Sequence, residues 1–183
     1  MCAQPLPGAP SRGALVADFV RGEARAADAA VALLDRAPAY AGFNLLLWDG
    51  DTLEYVSNRP TPRHTTLPPG VYGLSNDALD TPWPKLLRLR AAMQAVADGA
   101  RHIDTLFTAL ADPRPAADAE MPDTGVGAPM ERLLSSPFIR DARYGTRAST
   151  VVTVPAHGAA RLVERRFGPE GRPLGESTLE APQ

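Results

Sequence analysis

The sequence predicts an α+β protein in which helices and strands occupy separate blocks of the chain. Three observations carry this. Two stretches with helical apolar spacing open the chain, a block of β-favouring runs fills residues 42–76, and after a second helical block the chain returns to β structure over 149–167. Blocks of this kind, without strict β-α-β alternation, read as helices laid on one face of antiparallel sheets. At 183 residues, with 44% hydrophobic and 22% charged residues, the composition is that of a globular chain long enough for one domain with a sizeable core.

Taken in order, residues 1–10 are a proline-rich leader. Ser11 caps a first helix in which Leu15, Val16 and Phe19 share a face, and Gly22 ends it. A second helix over 24–36 places Ala27, Val31 and Leu34 at helical spacing and stops before Pro38, so the pair reads as an αα-hairpin on a sheet. Residues 42–49 and 52–58 form a hairpin through Asp49-Gly50-Asp51, because Asp-Gly between apolar runs is a strong hairpin signal. Residues 64–67 make a brief strand that turns at Pro68-Pro69-Gly70 and pairs with 71–76. One sheet of four consecutive antiparallel strands is expected.

The stretch 70–85 reads as a passage from strand to helix. Asn76 then sits at a strand's C-terminal end, Thr81 serves as N-cap and Pro82 takes the first helical position, where no N–H is needed. An Asn there has two readings: it satisfies a turn backbone, or it presents an amide to a ligand. Leu86, Leu89, Met93 and Val96 follow at helical spacing, with Met93 read as a core gap-filler rather than a metal or haem ligand. A further helix covers 104–110. Residues 112–129 lack apolar periodicity and read as a mobile loop, 130–134 adds one helical turn, and 149–154 pairs with 161–167. The single domain closes at 167, and 168–183, rich in proline and glycine, reads as a disordered tail.

A net charge of −2 gives no electrostatic reason to expect nucleic acid or an anionic membrane as partner. One cysteine excludes an internal disulfide, and no apolar run approaches the length of a membrane span; the cytoplasm is the expected address. His64, His102 and His157 stand apart with no paired-ligand spacing, so no metal site is expected. No glycine pattern supports a nucleotide, and Ser75 lacks the flanking glycines of a nucleophile elbow.

Three ordered blocks carry a family resemblance. They are Tyr40-Ala41-Gly42-Phe43-Asn44-Leu45; the Gly-Val-Tyr-Gly-Leu-Ser-Asn and Leu-Asp-Thr-Pro-Trp-Pro-Lys segments within 70–85; and Tyr144-Gly145-Thr146-Arg147-Ala148-Ser149-Thr150, followed by Glu164-Arg165-Arg166-Phe167. In these the chain resembles the NRDE family, also called the transport and Golgi organisation protein 2 family, from about Ser11 to Phe167. The resemblance implies a layered αββα fold of the N-terminal-nucleophile hydrolase type. Family members open with Met-Cys, a hydrophobic strand and an Asn-Arg-Asp-Glu segment, whereas here Met1-Cys2 runs into a proline-rich stretch. The expectation is therefore a fold incomplete at the N-terminus, lacking the family's first segment, with an exposed sheet edge open to self-association.

The resemblance also implies the chemistry. Gly73-Leu74-Ser75-Asn76 looks like the segment where bile-salt-hydrolase-type relatives keep an oxyanion-hole Asn, which makes Asn76 the donor, with Ser75 beside it as a ligand-binding candidate; Asn44, a polar residue inside an apolar strand, either bonds a neighbouring backbone group or binds the ligand. Arg147 is either a binder of an acyl or carboxylate group or an ion-pair partner at the start of its strand. Cys2 has the number of the family nucleophile without its flanking strand. Thiol and oxyanion donor are then not held at reacting distance, and the chain is read as a hydrolase-like scaffold without turnover. The second reading is a binding or transfer protein for haem or an acyl-type hydrophobic ligand, with haem as cargo and no cofactor of its own.

Overall fold

The computed structural model describes residues 8–99 and 102–181, so Cys2 and the start of the leader lie outside the described residues. The fold is α+β, with five α-helices and two three-stranded antiparallel sheets, and the chain divides into two compact units, Met1–Thr81 and Pro82–Gln183.

In the first unit, helices α1 (Arg12–Arg21) and α2 (Ala26–Arg36) precede strands β1 (Asn44–Trp48), β2 (Leu53–Ser57) and β3 (Arg63–Leu67), paired in sequence order. Ser11 caps α1 by accepting from Gly13 N, and Gly22 closes it. The register aligns Leu45, Val56 and His64 across the sheet, and Leu47, Glu54 and Thr66 beside them. This is the helix-covered face, because Leu47 and Val56 join Leu15, Ala26, Ala30, Leu33, Ala37, Tyr40 and Phe43 in one buried cluster. α2 thus buries Ala26, Ala30 and Leu33 and leaves Val31 57% exposed, one position off the expected stripe. In an alanine-rich helix apolar contrast is weak, and small residues let the helix lie close to the sheet.

Two polar side chains, Asn58 buried and Asp49 exposed, fix the turns of this unit. Asn58, 3% exposed, accepts from Phe43 N (2.9 Å) and donates through Nδ2 to the carbonyls of Ala37 (2.9 Å), Tyr40 (3.1 Å) and Ala41 (3.3 Å). It therefore fixes the turn that carries the chain from α2 into β1. Asp49 fixes the hairpin: its Oδ1 accepts from Asp51 N and Thr52 N, its Oδ2 from Ala26 N at the start of α2. These backbone N–H groups hold its carboxyl down at about 2.

The expected fourth strand does not form. Gly73 has its N–H and C=O both taken by Asp80, and Tyr72 returns its hydroxyl to Pro68 O, so residues 71–76 offer no ladder and run into a loop. Thr81 does not cap a helix either. Its hydroxyl and N–H both donate to Ala78 O, closing the loop, and α3 (Pro84–Ala97) begins two residues later with Trp83 at the cap position and Pro84 first.

The second unit holds α3, α4 (Ile103–Leu110), α5 (Ala128–Leu134), and the sheet β4 (Ala148–Thr153), β5 (Ala160–Phe167) and β6 (Pro173–Ala181). Leu106 and Phe107 of α4 pack on Val151 and Val163, with Val96 of α3 beside them. Met93 is 44% exposed and fills no gap in this core. The expected tail is a strand: β6 pairs with β5 over its length, with Arg165 Nε 2.8 Å from Glu176 and Arg161 3.7 Å from Glu180. All nine β6 residues are exposed, so the strand carries no apolar alternation by which sequence could reveal it. No helix among the described residues is long and apolar enough to cross a membrane.

Candidate functional site

The loop 73–81 is the feature that the first unit's polar groups are built to hold. At its neck Asp80 Oδ1 accepts from Gly73 N (2.7 Å) and Asp80 N donates to Gly73 O (2.8 Å). Asp80 adopts φ 60°, a left-handed conformation that Asp tolerates better than most residues. From the sheet, on the face away from the helices, Tyr55 donates its hydroxyl to Asn44 Oδ1 (2.8 Å) and accepts from Leu79 N (3.3 Å), while Asn44 Nδ2 donates to Asp77 O (2.8 Å). Both ends of the Asn44 amide are thereby occupied. The structure uses Asn44 as a brace for the loop.

What the braces present is Ser75 and Asn76. Asn76 is exposed and Ser75 half-buried, and among the described residues neither side chain has a hydrogen-bond partner. The backbone N–H groups of Leu74, Ser75, Asn76 and Asp77 likewise have no partner within the described chain. A pinned loop with several donors turned to solvent is suited to receive an anionic or carbonyl oxygen.

On the opposite face of the sheet lies a group that sequence reading missed. Glu54 is fully buried and accepts from His64 Nε2 (2.6 Å) and Thr66 Oγ1 (2.9 Å), so His64 does not stand alone. Burial pushes the Glu54 carboxyl up, but the hydrogen bonds from His64 and Thr66 help to outweigh it and leave it below its ordinary value. Only the strand register, which sets Glu54 opposite Thr66 and diagonal to His64, could have revealed the pair.

In the second unit the Tyr-Gly-Thr-Arg segment builds another closed loop. Ile139 N donates to Thr146 Oγ1 (2.9 Å) and Thr146 N to Ile139 O (3.0 Å), and a Cβ at position 145 would stand 2.9 Å from Ile139 O, which requires Gly145. Arg147 follows the clasp; its carbonyl accepts from Phe167 N (2.8 Å), and its exposed guanidinium has no partner among the described residues. Lys85 has a structural post: its Nζ donates to Leu134 O (2.9 Å) and lies 5.3 Å from the Trp83 ring, with burial pushing the ammonium down.

The Transport and Golgi organisation 2 family profile matches residues 3–169. This chain belongs to that family. Among curated relatives, the mouse Transport and Golgi organization 2 homolog is 33% identical over 173 residues, covering 87% of this chain and 63% of the relative. The human homolog is 33% identical over 140 residues (69% and 51%), and the bovine one 32% over 168 residues (84% and 61%). The chain thus spans between about half and two thirds of the length of these relatives.

Each resemblance block has a mechanical counterpart in this family member. Tyr40 to Leu45 supplies two of the three carbonyls that Asn58 gathers and the brace Asn44; residues 70–85 form the pinned loop and the start of α3; Tyr144 to Thr150 contributes to the second closed loop.

Proposed function

We propose that the 73–81 loop is a ligand-binding arm that receives an acyl or amide carbonyl, or the carboxylate beside it, on a scaffold of the cysteine N-terminal-nucleophile hydrolase type. The supporting observation is the contrast within the loop: its neck is closed by reciprocal bonds and braced by Asn44 and Tyr55, while the Asn76 amide and the N–H groups of 74–77 have no partner among the described residues. Donors held in advance of binding act on a developing oxyanion without reorganising, and losing one costs about a hundredfold or more in rate. Asn76 is the side-chain donor and Ser75 Oγ flanks it.

In this reading the chain binds without turning over, because proline-rich sequence follows Cys2 where a nucleophile strand is needed. The edge of β1, Asn-Leu-Leu-Leu-Trp, carries no charge or proline, and Leu46 and Trp48 are 42% and 47% exposed; we assign self-association to it. The binding-or-transfer reading has its own observation. A cavity of about 200 Å³ between α1, α2 and β1 is lined by Leu15, Phe19, Ala29, Leu33, Leu45 and Leu47, with Asp18 and Arg36 at its polar end. Its size is below the roughly 300–1,000 Å³ of pockets for drug-sized ligands, so it suits a short acyl chain better than haem.

The test is titration of the chain with N-octanoylglycine, followed by NMR, beside mass spectrometry after a thiol-directed acyl probe and a haemin titration. Saturable shifts at residues 74–77 with no adduct on Cys2 are expected. An acyl adduct on Cys2 would show turnover chemistry, and a spectral shift of haemin without any response to the acyl glycine would replace this reading by haem transfer.

A further inference from the structure

The second unit carries a set of arginines without a carboxylate partner among the described residues. Elsewhere in this unit most guanidinium groups have carboxylates: Arg114 and Arg88 with Asp112, Arg132 with Asp118, Arg161 with Glu180, Arg165 with Asp104 and Glu176. Arg140, Arg143, Arg147 and Arg172 are exposed and have no carboxylate partner among the described residues. They are not scattered. Arg140 and Arg147 flank the Ile139–Thr146 clasp, Arg143 stands on the loop between them, and Arg172 closes the turn after β5.

Two contacts join that turn to the loop. Glu170 N donates to Asp141 O (3.2 Å), and a Cβ at position 171 would meet Phe138 Cε1 at 2.7 Å and Arg140 Cγ at 3.3 Å. Beneath lies the edge-to-face pair Phe138–Phe167 at 4.7 Å, with the Arg140 guanidinium 5.4 Å from the Phe138 centroid. Gly171, at φ 73°, permits both the turn and this approach. Asp141, the acid inside the loop, is turned to the backbone N–H groups of Arg143 and Tyr144. Glu170 is the remaining exposed carboxylate, so the four arginines leave a net positive surface on a chain whose overall charge is −2.

We propose that these two braced loops form a binding site for a soluble phosphate-bearing ligand, with Arg140, Arg147 and Arg172 as its contacts and Arg143 at the rim. Guanidinium forks match phosphate oxygens two at a time, and loops already held by backbone bonds present them without being ordered anew. The inference does not depend on the role of Asn76.

The test is calorimetric titration of the full chain with inorganic pyrophosphate at constant ionic strength. Saturable binding is expected, weakened about tenfold or more by Arg140→Gln and by Arg147→Gln, and unchanged by Arg21→Gln, which removes an exposed arginine of α1. All three sites are exposed, and melting curves confirm that the variants fold. No binding of pyrophosphate would overturn the proposal, as would an equal loss in Arg21→Gln. Co-sedimentation with phosphatidylglycerol vesicles that depends on Arg147, without pyrophosphate binding, would overturn it in favour of a membrane surface.

Discussion

Replacing Asn58 by alanine should be among the most damaging single changes in the first unit. The side chain is 3% exposed and makes four backbone contacts, at 2.9, 2.9, 3.1 and 3.3 Å. Ala37 O keeps a second partner, Tyr40 N at 3.2 Å, so truncation fully orphans two buried groups, Phe43 N–H and Tyr40 O. At about 1–2 kcal/mol for each, the loss is about 2–4 kcal/mol, a large share of the 5–15 kcal/mol typical of a folded domain. Asn58→Asp should be worse at neutral pH, since it keeps the acceptor for Phe43 N but aims negative charge at the Ala37 and Tyr40 carbonyls. Urea denaturation followed by circular dichroism measures both. A cost below about 0.5 kcal/mol for alanine, or an aspartate variant as stable as the parent, would refute the assignment of Asn58 as the anchor of the turn into β1.

Three further outcomes follow from the same geometry. The Asp49 carboxyl, held at about 2, stabilises the fold above the ordinary Asp value near 3.9 and loses that contribution as pH falls through its folded value; melting temperatures from pH 5 to pH 2 should fall less steeply in Asp49→Ala, which also melts lower at pH 7. His64→Ala leaves the buried Glu54 carboxylate without its closest partner and should cost about 2–3 kcal/mol in urea, less than a wholly buried pair because His64 is partly exposed. Gly145→Ala places a methyl 2.9 Å from Ile139 O and should lower stability by about 1–3 kcal/mol, with faster amide exchange at Ile139 and Thr146.

Local chemistry made much of this fold legible. Ser11 and Gly22 mark the ends of α1, Asp49-Gly50-Asp51 turns the first hairpin, and the β4–β5 pairing falls within a residue of the expected strands 149–154 and 161–167. What stayed hidden depended on partners distant in sequence. Residues 71–76 have strand composition, yet Asp80, seven residues on from Gly73, takes its backbone groups. The α2 face turned on the close fit of Ala26 and Ala30 rather than on the larger Val31, and β6 is held by backbone pairing and by Arg165 and Arg161 rather than by burial. At the candidate site, sequence left open for Asn76 and for Asn44 whether the amide meets a backbone group or a ligand; only the structure separates an exposed amide from one bonded at both ends.

The claim that the Asn76 amide is a ligand donor is tested most directly by Asn76→Asp, comparing affinity for N-octanoylglycine with melting temperature. The side chain is exposed and bonds no described residue, so the substitution should leave the melting temperature within about 1 °C of the parent. Affinity should be abolished, and more completely than in Asn76→Ala, because aspartate sets negative charge where an oxyanion or carboxylate must sit. An Asn76→Asp chain that binds the acyl glycine as tightly as the parent would remove Asn76 from the site and contradict the account.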